Sequence, residues 1–223
     1  MKFIASTTGR CVKLFSWDDV RPDHGVNSII LASAISEQFN FQIRPTPPIA
    51  LDSVIKFADG AVTINRAVIA IKKFEIYSDG FAVDCTNTTD AKSVSDEIFK
   101  WAKSDLGFKD FIRAPKVILL SHVTVEFAPE FENMFSGWKK LQTILNRSVH
   151  ERYGFSQDVN VFRMQWRGDP FTVVNNLIVS DFWIERKTGE PFSSNRWHCS
   201  APLPTEEWIA LLEDLEEFAL QGE

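Results

Sequence analysis

Asp181, Glu185 and Lys187 are the residues whose types and spacing come closest to a catalytic set. Alternate residues of a strand point to one face, so a strand through this stretch would set an acidic pair beside an ammonium. Two carboxylates can hold a divalent cation, and a neighbouring lysine can orient the water that attacks a phosphodiester. Asp169 could replace Asp181 as the first acid. A strand end that meets water would carry Glu185, Arg186 and Lys187 equally well, and the chain has no evident basic groove for a polyanion. A metal-dependent phosphodiester hydrolase is therefore the alternative reading.

A second set is His122 with Glu126, to which His198 and Cys199 could be added as base and thiol. The plain expectation is a hydrogen-bonded histidine on a buried strand and a cysteine that behaves as a small hydrophobe. Asp18, Asp19, Asp23 and His24 sit in a polar, turn-rich stretch but lack calcium-loop spacing. The chain has no glycine-rich phosphate loop, GxSxG elbow, HExxH helix or CxxC pair. No metal and no cofactor is expected.

Charge points elsewhere. The net charge is −6, yet seven acids and no Lys or Arg fall between Thr205 and Glu223, so the rest of the chain sums to +1. Six of the seven are Glu206, Glu207, Glu213, Asp214, Glu216 and Glu217. The plain reading of such a run is a solvated face over a buried stripe; the sharper one is an acidic docking surface. Arg196 and Trp197, with Trp17, Phe192 and Trp208 near predicted turns, offer an interface anchor, since Trp and Arg dominate binding hot spots. The preferred function is a non-catalytic protein-binding module, an inhibitor, immunity-type protein or assembly subunit, that docks a partner with a basic surface. A pI near 5.3 argues against nucleic acid as that partner. The sequence does not set the oligomeric state.

These residues need elements to hold them. Pro202 and Pro204 keep the chain out of helix, Thr205 can cap, and Trp208, Leu211, Leu212, Leu215, Phe218 and Ala219 trace one helical face to the C-terminus. Further helices are predicted from Asn27 to about Phe39, from Thr89-Asp90 to near Gly107 with Val94, Ile98, Trp101 and Ala102 on one face, and from about Glu130 to Tyr153, ended by Gly154, with Phe131, Met134, Phe135, Trp138, Leu141, Leu145 and Val149 inward. Asp59-Gly60 and Asp79-Gly80 read as two-residue hairpin turns. They would pair Ile55 and Phe57 with Val62 and Ile64, and Phe74 and Ile76 with Phe81 and Val83. Strands are also expected around Cys11–Phe15, at Lys116–Phe127, Val161–Trp166 and Thr172–Lys187, and Arg44–Pro48 must be extended.

Hairpins rather than strand–helix crossovers predict an α+β fold: an antiparallel sheet covered by helices, with a second half resembling part of a split β-α-β unit and an acidic amphipathic helix at the end. The expected organisation is one domain over 1–223, with 1–110 and 111–223 as the alternative division. No apolar run approaches the roughly 20 residues of a membrane span, and Arg10 and Lys13 interrupt the hydrophobic residues of Met1 to Phe15, which show no signal-peptide core or cleavage pattern. Three dispersed cysteines suit reduced thiols, so a cytoplasmic protein is expected.

Overall fold

The computed structural model describes residues 1–25, 27–45, 54–155, 159–169 and 181–221. It holds an α+β fold of antiparallel strands and five α-helices. The chain divides into two compact units that interleave along the sequence. A meander unit comprises Ser6–His122 with Pro202–Thr205, and a second unit comprises Met1–Ala5, Val123–Ala201 and Glu206–Glu223.

In the meander unit the strand order is β2-β3-β4-β1-β5. These are β1 (Lys2–Leu14), β2 (Ile55–Ile64), β3 (Ala67–Tyr77), β4 (Gly80–Cys85) and β5 (Lys116–Glu126). The boundary between the units cuts β1 after Ala5 and β5 after His122. Three helices belong here: α1 (Trp17–Val20), α2 (Ser28–Gln38) and α3 (Thr88–Leu106). Asn27 caps α2 by accepting from the Ile29 and Ile30 amides. Asn87, two residues before Thr89, caps α3 by accepting from the Asp90 amide, and Gly107 ends it at φ 71°. Cys11, Phe39, Phe41, Phe57, Ile71, Phe74, Phe81, Val94, Ile98 and Trp101 build the core.

The Asp79-Gly80 hairpin pairs Phe74 with Val83 and Ile76 with Phe81, as expected. The Asp59-Gly60 hairpin is corrected. β2 runs through those residues and the chain reverses at Asn65-Arg66, where φ is 50° and 68°. Ile55 and Phe57 therefore face Ile76 and Phe74 instead of Val62 and Ile64. The Asp-Gly signal comes from a demand for positive φ, which Asp59 meets inside the strand at 55°. Gly60 is required there because a Cβ would lie 2.5 Å from the Phe41 ring.

Gly9 on β1 is tighter still. A Cβ there would stand 1.9 Å from the backbone carbon of Asn87, the α3 cap, and backbone cannot swing aside as a ring can. Gly9→Ala is expected to cost about 1–3 kcal/mol by overpacking, read as a lower urea midpoint with unchanged slope. A midpoint equal to that of the parent would show that the cap yields.

In the second unit the order is β5-β8-β7-β6, with β6 (Arg163–Trp166), β7 (Phe182–Arg186) and β8 (Arg196–Ala201). The expected strand over Thr172–Lys187 is seen only as β7, and residues 172–180 lie outside the described residues, as do 46–48 of the expected extended stretch. Arg196 and Trp197 open β8, which carries the chain to Ala201 just before the last helix.

The predicted helix from Glu130 to Tyr153 is two elements: a 3-10 segment, Pro129–Trp138, and α4 (Lys139–Tyr153). Tighter winding turns each residue roughly 20° further than an α-helix would. Phe131 and Phe135 face the core, while the phase accumulated over those ten residues carries Trp138, Leu141 and Leu145 to the surface, and α4 buries no residue. Gly154 ends α4 at φ 74°, as predicted. Phe127 and Phe131 stack at 3.9 Å, and both rings meet Trp197 edge-on. Trp197 is fully buried, with its indole N–H donated to Asn195 Oδ1 at 2.8 Å.

Candidate functional site

The last helix, α5 (Thr205–Gln221), begins after Pro202 and Pro204. Thr205 is its first residue, and its hydroxyl accepts from the Thr88 amide at 3.1 Å, while the Thr88 hydroxyl accepts from the Thr205 amide at 2.8 Å. Each threonine thus satisfies the other's unpaired helix-start N–H. Trp208, Leu212, Glu216 and Ala219 form the buried stripe, and Phe182 meets Trp208 edge-on.

Two predictions for this helix are corrected. Glu216 is not on the outer face: its carboxylate is buried, accepts from the Ala128 amide at 2.6 Å and pairs with the Met1 amino group. Leu211 and Phe218 are not in the buried stripe but outside, Phe218 at 71% exposure. The buried stripe follows 208, 212, 216 and 219, and that phase turns 211 and 218 to water.

Glu206, Glu207, Glu213, Asp214 and Glu217 remain exposed. Glu207, Leu211, Asp214 and Phe218 recur at the spacing of one helical face, with Glu213 and Glu217 alongside. Among the described residues, no cation lies within ion-pair distance of Glu207, Glu213, Asp214 or Glu217. The outer face of α5 is therefore apolar side chains set among uncompensated carboxylates.

The proposed catalytic acids are placed differently. Asp181 precedes β7 and accepts a paired hydrogen bond from Arg167 at 2.7 and 2.6 Å, which holds its carboxyl below the usual range. Glu185 pairs with Arg163 at 3.1 Å, and Lys187 with Glu190 at 2.8 Å. Each charge is answered by its own partner, and among the described residues no group of three His, Cys, Asp or Glu could hold a metal. The chain matches no family model and no curated protein.

The remaining candidates are dispersed in the same way. Glu126 pairs with Arg196 at 3.0 Å, and Arg196 also reaches Glu190 at 3.3 Å. His198 Nδ1 lies 2.9 Å from the Thr124 hydroxyl, and His122 accepts from the Thr7 hydroxyl through its backbone carbonyl. Cys199 is buried, which pushes its thiol pKa up and away from thiolate chemistry. Asp18 pairs with Arg21 and Asp23 with Lys109. The aromatic anchor is corrected for Trp197 and Trp208, both buried, whereas Phe192 stays exposed. Trp17 packs against the meander core and donates to the Tyr77 carbonyl at 2.7 Å.

Two features escaped sequence reasoning. Arg186, read as part of a wet strand end, is buried. A cleft of about 490 Å³ lies between the 3-10 segment and β6, lined by Met134, Phe135, Trp138, Arg163, Met164 and Trp166. Its aromatic and methionine lining comes from chain segments some thirty residues apart, so no local pattern marks it.

Proposed function

We propose that the protein is a non-catalytic protein-binding module that docks a basic partner through the outer face of α5. The observation that carries this reading is the exposed, unpaired set Glu207, Glu213, Asp214 and Glu217 around Leu211 and Phe218. Such a face speeds and orients encounter through its charge, while desolvation of the two apolar side chains holds the complex. An assembly subunit, inhibitor or immunity-type protein would all use it in this way. Three free, buried cysteines support a reducing, cytoplasmic setting. Among the described residues no helix is long and apolar enough to cross a membrane.

The test is affinity purification from the native host with the full chain and with Glu213→Lys/Glu217→Lys. Both sites are exposed, so folding should be retained and verifiable by circular dichroism. The reversed protein is expected to lose its basic partner by at least ~10-fold in yield. Equal capture by both proteins would overturn the reading.

A further inference from the structure

We infer that the basic surface that α5 docks is the exposed face of α4 on a second copy of this chain. This rests on the docking role proposed for α5 and names its occupant.

The two helices are opposites in charge and alike in form. α4 buries no residue, although it carries Leu141, Ile144 and Leu145, all exposed. Lys139, Lys140, Arg147 and Arg152 stand exposed on the same helix, and Glu151 is its only acid. Among the described residues, none of these four cations has an ion-pair partner. An amphipathic helix gains most of its stability by burying its apolar face, and α4 does not bury its own.

The spacings agree. Lys140 and Arg147 are seven residues apart, two turns on one face, and Ile144 lies between them. Glu207 and Asp214 have the same separation, with Leu211 between them. Both charge pairs are therefore roughly 10 Å apart, so two ion pairs can form across one apolar contact. The helices are also of matched length, 15 and 17 residues. Each copy carries one face of each kind, so a two-fold dimer forms the contact twice.

Sedimentation velocity on the full chain tests this, up to about 100 µM and from ~50 to ~500 mM salt. The parent is expected to dimerise, with affinity at least ~10-fold weaker at the high-salt end. Lys140→Glu/Arg147→Glu and Glu207→Lys/Asp214→Lys should each be monomeric, because both contacts then oppose like charges. Mixed in equal amounts they should associate again, since each contact now joins opposite charges; a folding defect could not produce that rescue. A parent that stays monomeric overturns the proposal, as does a mixture that stays monomeric. If it falls while Glu207→Lys/Asp214→Lys still loses a captured basic protein, the docking role of α5 survives and only the self-pairing fails. If that variant changes neither property, both fail. Monomeric protein that binds phosphatidylserine vesicles through Lys140 and Arg147 would assign α4 to an anionic membrane and overturn the pairing.

Discussion

Arg186→Lys is expected to destabilise the protein by about 1–3 kcal/mol, the cost of leaving a buried acceptor without its donor. The Arg186 side chain is 3% exposed. Its guanidinium lies over the Trp197 ring at 4.4 Å and the Phe192 ring at 4.5 Å. Nε donates to the Val161 carbonyl at 2.8 Å, Nη1 to the Phe192 carbonyl at 3.1 Å, and Nη2 to Glu132. A planar fork can stack on rings and donate in several directions at once, whereas an ammonium is a compact, strongly hydrated point charge. Lysine would keep the charge, lose the stacking and leave a carbonyl unanswered. Urea denaturation should show a lower midpoint at unchanged slope. Arg186→Met, which removes the charge and keeps much of the bulk, should cost less than lysine if desolvation of the unpaired cation dominates. A lysine variant within ~0.5 kcal/mol of the parent would mean that the rings and carbonyls hold without the fork.

Arg186 also shows where sequence reading stops. Its neighbours Glu185 and Lys187 are charged, and three charges in a row look like a solvated end. The residues that enclose it, Glu132, Val161, Phe192 and Trp197, come from four separate segments, and nothing local announces them. Glu216 is the same case, since its partner amide at Ala128 is 88 positions away. What was legible was local: the α3 stripe Val94, Ile98, Trp101 and Ala102, the glycine ends at Gly107 and Gly154, and the Phe74–Val83 register. The acidity of α5 could be counted directly, but not which acids face water, because packing sets the helix phase. The break at Trp138 was hidden because apolar spacing alone does not distinguish an α-helix from a 3-10 segment that carries the same residues to another side.

Charge in the strands and charge on α4 and α5 therefore play different parts. On β6 and β7, and at their ends, Asp181, Glu185 and Lys187 are each neutralised at close range, which suits them to hold structure rather than to bind a metal. On α4 and α5 the charges are left open beside exposed leucine, isoleucine and phenylalanine. This exposed apolar surface beside uncompensated charge of one sign is what the docking and self-pairing proposed above rest on.

Glu75→Gln is expected to lower stability at neutral pH by up to about 3 kcal/mol, with the loss vanishing in acid. Burial alone would push the Glu75 carboxyl up. Hydrogen bonds from Lys73, Tyr77 and Arg10, the last two at 2.5 and 2.6 Å, outweigh it and bring the carboxyl down to about 2. A depressed carboxylate stabilises the fold above its unfolded value near ~4.3, and that contribution disappears as pH falls through the folded value. The parent should therefore lose stability from about pH 5 downward more steeply than Glu75→Gln, and the two should converge near about pH 2. Asp84, on the same side of Arg10, carries the opposite sign. Burial pushes its carboxyl up against the pull of Arg10 at 3.3 Å, and its Oδ1 is buried without a hydrogen-bond partner. Ionised Asp84 thus works against the fold at neutral pH, and Asp84→Asn should raise stability by about 1 kcal/mol there and have no such effect in acid. Denaturation of the parent and both variants at neutral and acid pH separates the cases. If Glu75→Gln costs as much in acid as at neutrality, the loss is one of packing, and the salt-bridged carboxylate is not what holds β1, β3 and β4 together.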